Sequence, residues 1–272
     1  MKLGTLVKPL LVAGLFMAGS AMAAPSAQRV LTASPIDDIV ERYPAMMAEG
    51  IREGVKRSQK LPPMVADTLG YVVRNSFSAA DIEQKIVSNL EHNLSGKQLE
   101  AVEGWYKTPV ARKISAAEIA ASDPAAWGQI QARASELNKK YKGTDRARMF
   151  ERFDRAARAT ESAVDTTIAV QLGLATAMAA FSSDSTNYDE LKQKLGSQRS
   201  AIRGIVEQQV YDSYLHTYEK ISAQEMGLYI DFLESEAGTA FSKTVTESIQ
   251  QAITEPIESI GSQLARFLLP QK

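Results

Sequence analysis

The amino-acid sequence predicts an all-α fold, a helical bundle built from two related helix-corner repeats. Three observations lead there. Apolar residues recur at helical spacing, as in Ile82, Ile86 and Leu90 and in Phe241, Val245, Ile249 and Ile253. No proline falls between residues 125 and 255, and the glycines there stand singly, so the span permits long helices. No stretch shows a convincing strand-like alternation of apolar and polar residues.

The chain opens with Lys2 and Lys8, an apolar run from Pro9 to Gly19, and the small-x-small triplet Ala21-Met22-Ala23. That pattern predicts a signal peptide over residues 1–23, cut after Ala23, because a later cut would put Pro25 first. The run is too short to span a membrane, which takes about 20 apolar residues. The expected destination is the periplasm, with secretion onward as the alternative. Residues 24–33 and the last three residues are expected to be loose.

The first helical repeat is placed at 34–143 and the second, packed on it, at 144–269. Ser34-Pro35, Thr108-Pro109 and Asp123-Pro124 each put a capping side chain before a proline at the first helical position. Ser95 to Gln98 and Ser222 to Glu225 are capping boxes, in which side chain and backbone satisfy each other reciprocally. Thr166 to Ser183 carries no charge, but its Thr, Gln, Ser and Ala content is weak for insertion. It reads as a central helix buried on most sides. Tyr188, Leu191, Leu195, Ile202, Ile205, Val210, Tyr214 and Tyr218 suggest one long amphipathic helix. The stripe that ends at Ile253 resumes after Pro256 at Ile257, Ile260, Leu264 and Leu268, across an expected kink.

A shift of 127 residues lays Leu94–Ile114 on Ile221–Phe241 without a gap. Ser95 falls on Ser222, Trp105 on Phe232, Tyr106 on Leu233 and Thr108 on Ser235. The shared unit is a capped helix of about three turns, closed by an aromatic pair or an aromatic plus Leu. A hydroxyl residue then caps a second helix, making a tight corner. Pro109 enforces the break in the first copy. Glu236 replaces it in the second, where the corner is either shallower or lost to a continuous helix.

These residues resemble a bacterial family, domain-of-unknown-function family 2059. Members of that family are mostly exported, and its repeat carries a capped helix followed by an F-Y-x-S-P-x-G-like corner. The first copy here keeps Trp105, Tyr106 and Pro109 but has Ala111 where the family favours Gly. The second keeps Phe232, Ser235 and Gly238 but lacks the Tyr and the Pro. The resemblance implies an all-helical envelope protein and no particular activity.

Composition narrows the chemistry. The chain holds 31 Lys+Arg against 32 Asp+Glu, too balanced for a dominant nucleic-acid binder. Cysteine is absent, which excludes disulfides, thiol catalysis and Cys-ligated zinc. His92 and His216 are the only histidines, and the repeat does not align them, so a His-rich metal site is excluded and no cofactor is implied. His92 reads as a helix C-terminal residue, and His216 as one side of an amphipathic helix. No G-x-S-x-G elbow, phosphate loop or H-E-x-x-H occurs, and no carboxylate pair stands out.

Charge is uneven along the chain. Residues 139–158 carry a net +5 and residues 223–259 a net −6. Either the two regions meet within the chain, or Arg148, Arg152 and Arg155, on one helical face, form a basic interaction face. The first is favoured. The leading functional expectation is a non-catalytic binding or scaffolding module of the bacterial envelope. Its partner would be an unknown envelope protein or lipid, not nucleic acid, and no transmembrane span would remain after signal cleavage. Alternatives are a carrier holding an apolar molecule or lipid between the halves, and an enzyme using Glu, Asp or Tyr.

Overall fold

The computed structural model describes residues 26–58, 67, 70, 71, 74–182 and 188–268. Among these, every regular element is a helix. In chain order they are α1 (Ala27–Ala33), α2 (Ile36–Ser58), α3 (Ala79–Asn93), α4 (Gly96–Tyr106), α5 (Pro109–Ser122) and α6 (Pro124–Tyr141). After the turn at Gly143 come α7 (Asp145–Ala157), α8 (Ala159–Ser182), α9 (Tyr188–Ser197), α10 (Arg199–Thr217), α11 (Ala223–Glu234) and α12 (Glu236–Leu268). The expected signal peptide and its cut after Ala23 lie outside the described residues, as do the last three residues.

The caps form as the residue types require. Ser95 and Ser222 both make complete capping boxes, with Gln98 and Glu225 returning the bond. Thr108 Oγ1 accepts from the Ala111 amide at 3.1 Å, and Asp123 Oδ1 from the Ala125 amide at 2.9 Å. The second corner breaks as sharply as the first. The Thr108 amide donates to the Trp105 carbonyl at 2.9 Å, and the Ser235 amide to the Phe232 carbonyl at 3.0 Å. Ser235 Oγ also accepts from the Gly238 amide at 3.1 Å, so the hydroxyl does without proline.

Gly238 explains how this corner closes. A Cβ there would lie 1.9 Å from the Phe232 carbonyl oxygen. Only glycine lets the start of α12 approach the end of α11 this closely.

Two expectations need correction. Within the segment 24–33 expected to be loose, Ala27–Ala33 forms α1, whose Ala27, Val30 and Leu31 are completely buried. Packing against α3 and α4 offsets the weakness of so short a helix. Tyr188–Tyr218 is not one helix but two, broken at Gln198, and Ile205 is 65% exposed rather than part of a continuous stripe. Pro256 lies inside α12, whose backbone continues to Leu268 where the sequence stripe is expected to resume. The side chains of Ile257, Ile260, Leu264 and Leu268 lie outside the described residues.

Two apolar clusters make up the interior. The first gathers Leu31, Ile86, Leu90, Leu99, Val102 and Tyr106 with Phe241 and Val245 of α12. The second gathers Leu137, Phe153, Tyr214, Met226, Ile230 and Leu233 with Ile114 of α5. The corners therefore exchange their second helices: Phe241 enters the cluster of α4, and Ile114 enters the cluster of α11. Trp105 and Phe232 pack against both clusters. Helix α8, free of charge from Thr166 onward, lies against α12, α10 and α9, with Val164 and Leu172 buried. No helix among the described residues is long and apolar enough to cross a membrane.

Candidate functional site

The corners bring their aromatic residues face to face. Trp105 stacks on Phe232 with ring centres 4.8 Å apart and planes 9° from parallel. Tyr229 lies parallel on Trp105 at 6.2 Å, and Tyr106 meets Phe232 and Phe241 edge-on at 5.9 and 5.7 Å. The seam between the corners is filled by their own rings, each pair contributing about 1 kcal/mol beyond area burial. The indole Nε1 of Trp105 is buried there without a hydrogen-bond partner among the described residues.

Beside the seam stands a carboxylate that sequence reasoning did not single out. Glu118 of α5 accepts from the hydroxyls of Tyr218 at 2.6 Å and Tyr229 at 2.8 Å, both on its Oε1. Its other oxygen has no donor among the described residues. Burial pushes the Glu118 carboxyl up, against the pull of the two phenols. Burial and the neighbouring carboxylate push both phenols well up, so they stay protonated donors. Glu118 lines a cavity of about 270 Å³ together with Phe153, Val210, Ser213, Tyr214 and Thr217. One signal was legible: Glu118 is the sole charge between Lys113 and Asp123, amid alanine and isoleucine.

A wider groove of about 580 Å³ runs between α2, α6 and α10, past Trp127 and Ile130. Two of its acids are already engaged. Glu49 pairs with Arg52, and Asp212 accepts from Asn138 at 2.7 Å and Gln208 at 2.8 Å.

The basic segment meets carboxylates of its own chain. Arg152 bridges Glu234 at 2.5 Å and Asp231 at 3.2 Å, joining α7 to α11. Arg148 pairs with Asp145, and Arg155 with Glu151 at 2.9 Å. All three guanidiniums are exposed on α7, their charge matched locally. Arg146 behaves differently. It is buried on the stripe of Met149, Phe150 and Phe153 and donates to the Tyr218 carbonyl at 2.6 Å and to the Ile221 carbonyl. It thereby satisfies the Ile221 carbonyl and adds a second donor to the Tyr218 carbonyl, which also accepts from the Ile221 amide at 2.9 Å, where α10 turns into α11.

The histidines lie apart. His92 is exposed in the last turn of α3. His216 is half-buried on α10, its Nδ1 without a partner among the described residues, and burial together with Arg133 lowers its pKa. No group of three or more His, Cys, Asp or Glu able to hold a metal ion occurs among the described residues.

Residues 80–140 match a family described as an uncharacterized protein conserved in bacteria, DUF2059. The DUF2059 match takes in α3, the first corner whole and nearly all of α6. It supports the resemblance carried by Trp105, Tyr106 and Pro109; the second corner lies outside it. No curated protein and no solved structure matches the chain.

Proposed function

We propose that the protein is an exported, non-catalytic helical module of the bacterial envelope, which binds or scaffolds another envelope component. The observation that carries this reading is the filled seam. Trp105 stacks on Phe232 and lies parallel to Tyr229, so the two corners are joined by their own rings rather than by a ligand held between those rings. The similarity of residues 80–140 to a bacterial family supports the cellular setting. The Lys2-to-Ala23 pattern supports export to the periplasm.

On the same reading the two corners are diverged copies, in repeats spanning 34–143 and 144–269. The reciprocal exchange of Phe241 and Ile114 between the clusters favours that origin. Crosslinking in intact cells, followed by identification of the captured partner, tests the function. A reproducible envelope partner is expected. It should persist in a folded variant carrying His92→Ala and His216→Ala. Loss of the partner in that variant would overturn the non-catalytic reading. The intact mass of the mature protein should begin at Ala24; a mass that retains residues 1–23 would overturn cleavage.

A further inference from the structure

We infer that the cavity beside Glu118 is a binding site for a small organic cation, an ammonium group carried on a short apolar body. The argument starts from the carboxylate. Glu118 sits where α5, α10 and α11 converge, and both of its hydrogen bonds, from Tyr218 and Tyr229, fall on one oxygen. No lysine, arginine or histidine among the described residues pairs with it. The two phenols fix the side chain's position, and Glu118 lines the cavity, so its carboxylate is a held acceptor there.

A carboxylate withdrawn from bulk water and lacking a counter-charge binds either a proton or a cation. The cavity has room for the cation. At about 270 Å³ it is at the small end of ligand cavities. Its walls divide into two kinds. Phe153, Val210 and the Tyr214 ring offer apolar surface to a hydrocarbon body. Ser213 and Thr217, one helical turn apart on α10, offer hydroxyl oxygens that accept N–H groups the carboxylate does not take. An ammonium donates to the free Glu118 oxygen in a charge-assisted hydrogen bond, which low local polarity strengthens. Aromatic rings in the wall add a cation–π attraction. A neutral molecule of the same shape leaves the carboxylate dehydrated and unpaired, and an anion is repelled by it. Selection is therefore by charge first and by length second.

The proposal does not rest on an envelope partner, and its test needs none. Isothermal titration of the purified mature chain with n-butylammonium, n-butanol and butyrate separates the possibilities. Saturable one-to-one binding of n-butylammonium alone is expected. Absence of saturable binding, or equal binding of n-butanol, overturns the proposal. Two variants locate the site. Glu118→Gln keeps an acceptor for both phenols but removes the charge, and should weaken n-butylammonium by roughly tenfold or more. Val210→Phe fills the cavity from α10 rather than from the carboxylate's own helix, and should also lose the ligand. Circular dichroism establishes that each variant is folded. A folded Glu118→Gln protein with wild-type affinity places the cation elsewhere and sinks the assignment. If either variant fails to fold, the three-probe comparison on the wild-type chain still decides.

Discussion

At Gly238 a Cβ would lie 1.9 Å from the Phe232 carbonyl oxygen and 2.8 Å from its carbonyl carbon. Both neighbours are backbone, so a rotamer change cannot relieve the clash. Gly238→Ala is therefore expected to cost about 1–3 kcal/mol, the usual range for forced overpacking, measured by urea denaturation. The position matched by the 127-residue shift, Ala111, already carries a Cβ. Ala111→Gly should cost about 1–2 kcal/mol, from helix propensity and the loss of one buried methyl. Arg146 is the other residue whose environment decides its role. Arg146→Met keeps the stem but strands the Ile221 carbonyl, while the Tyr218 carbonyl keeps the Ile221 amide at 2.9 Å, with an expected loss of about 1–3 kcal/mol. Its position on the stripe of Met149, Phe150 and Phe153 was readable in the sequence. That it caps the end of α10 was not, because its acceptors lie more than 70 residues away. Glu118 was hidden for a related reason. A lone acid among alanines is visible in one dimension, but the tyrosines that fix it come from two other helices.

Local chemistry made most helix starts legible. The Ser, Thr and Asp caps bond their own neighbours within three residues, so sequence and structure report the same contact. Ser95→Ala and Ser222→Ala should each cost about 1 kcal/mol in chemical denaturation, and the pair should be nearly additive. Interruptions without such a signature were not legible. Gln198 breaks the helix with no side-chain cap bond. α1 escaped because seven residues with no tertiary context look like a frayed terminus. Its burial against α3 and α4 arises only once the chain has folded back.

Across the whole molecule, ion pairs tie distant segments and set the acid response. Glu219 lies between Arg133 at 2.7 Å and Lys140 at 2.8 Å, which hold its carboxyl down at about 2. In the unfolded chain that carboxyl returns to about 4.3. The folded state thus binds fewer protons between these values. Its contribution is complete above the unfolded value and lost as pH falls toward 2. Glu219→Gln should flatten the acid limb of a stability–pH curve. Glu118 acts in the opposite sense. Its raised carboxyl favours the folded state at low pH, and that contribution is lost as pH rises through the folded value. Charge counting along the sequence predicted that basic and acidic regions meet, and Arg152 does join α7 to acids of α11. Counting did not reveal which arginine leaves the surface.

The exchange of second helices between the corners has a consequence for how the chain acquires its shape during synthesis. The cluster that holds α1, α3 and α4 stays incomplete until Ala237, Phe241 and Val245 have been translated. A nascent chain released before that point would show its greasy side to chaperones and proteases. The protein would commit to its native form late, with nearly the whole polypeptide in hand.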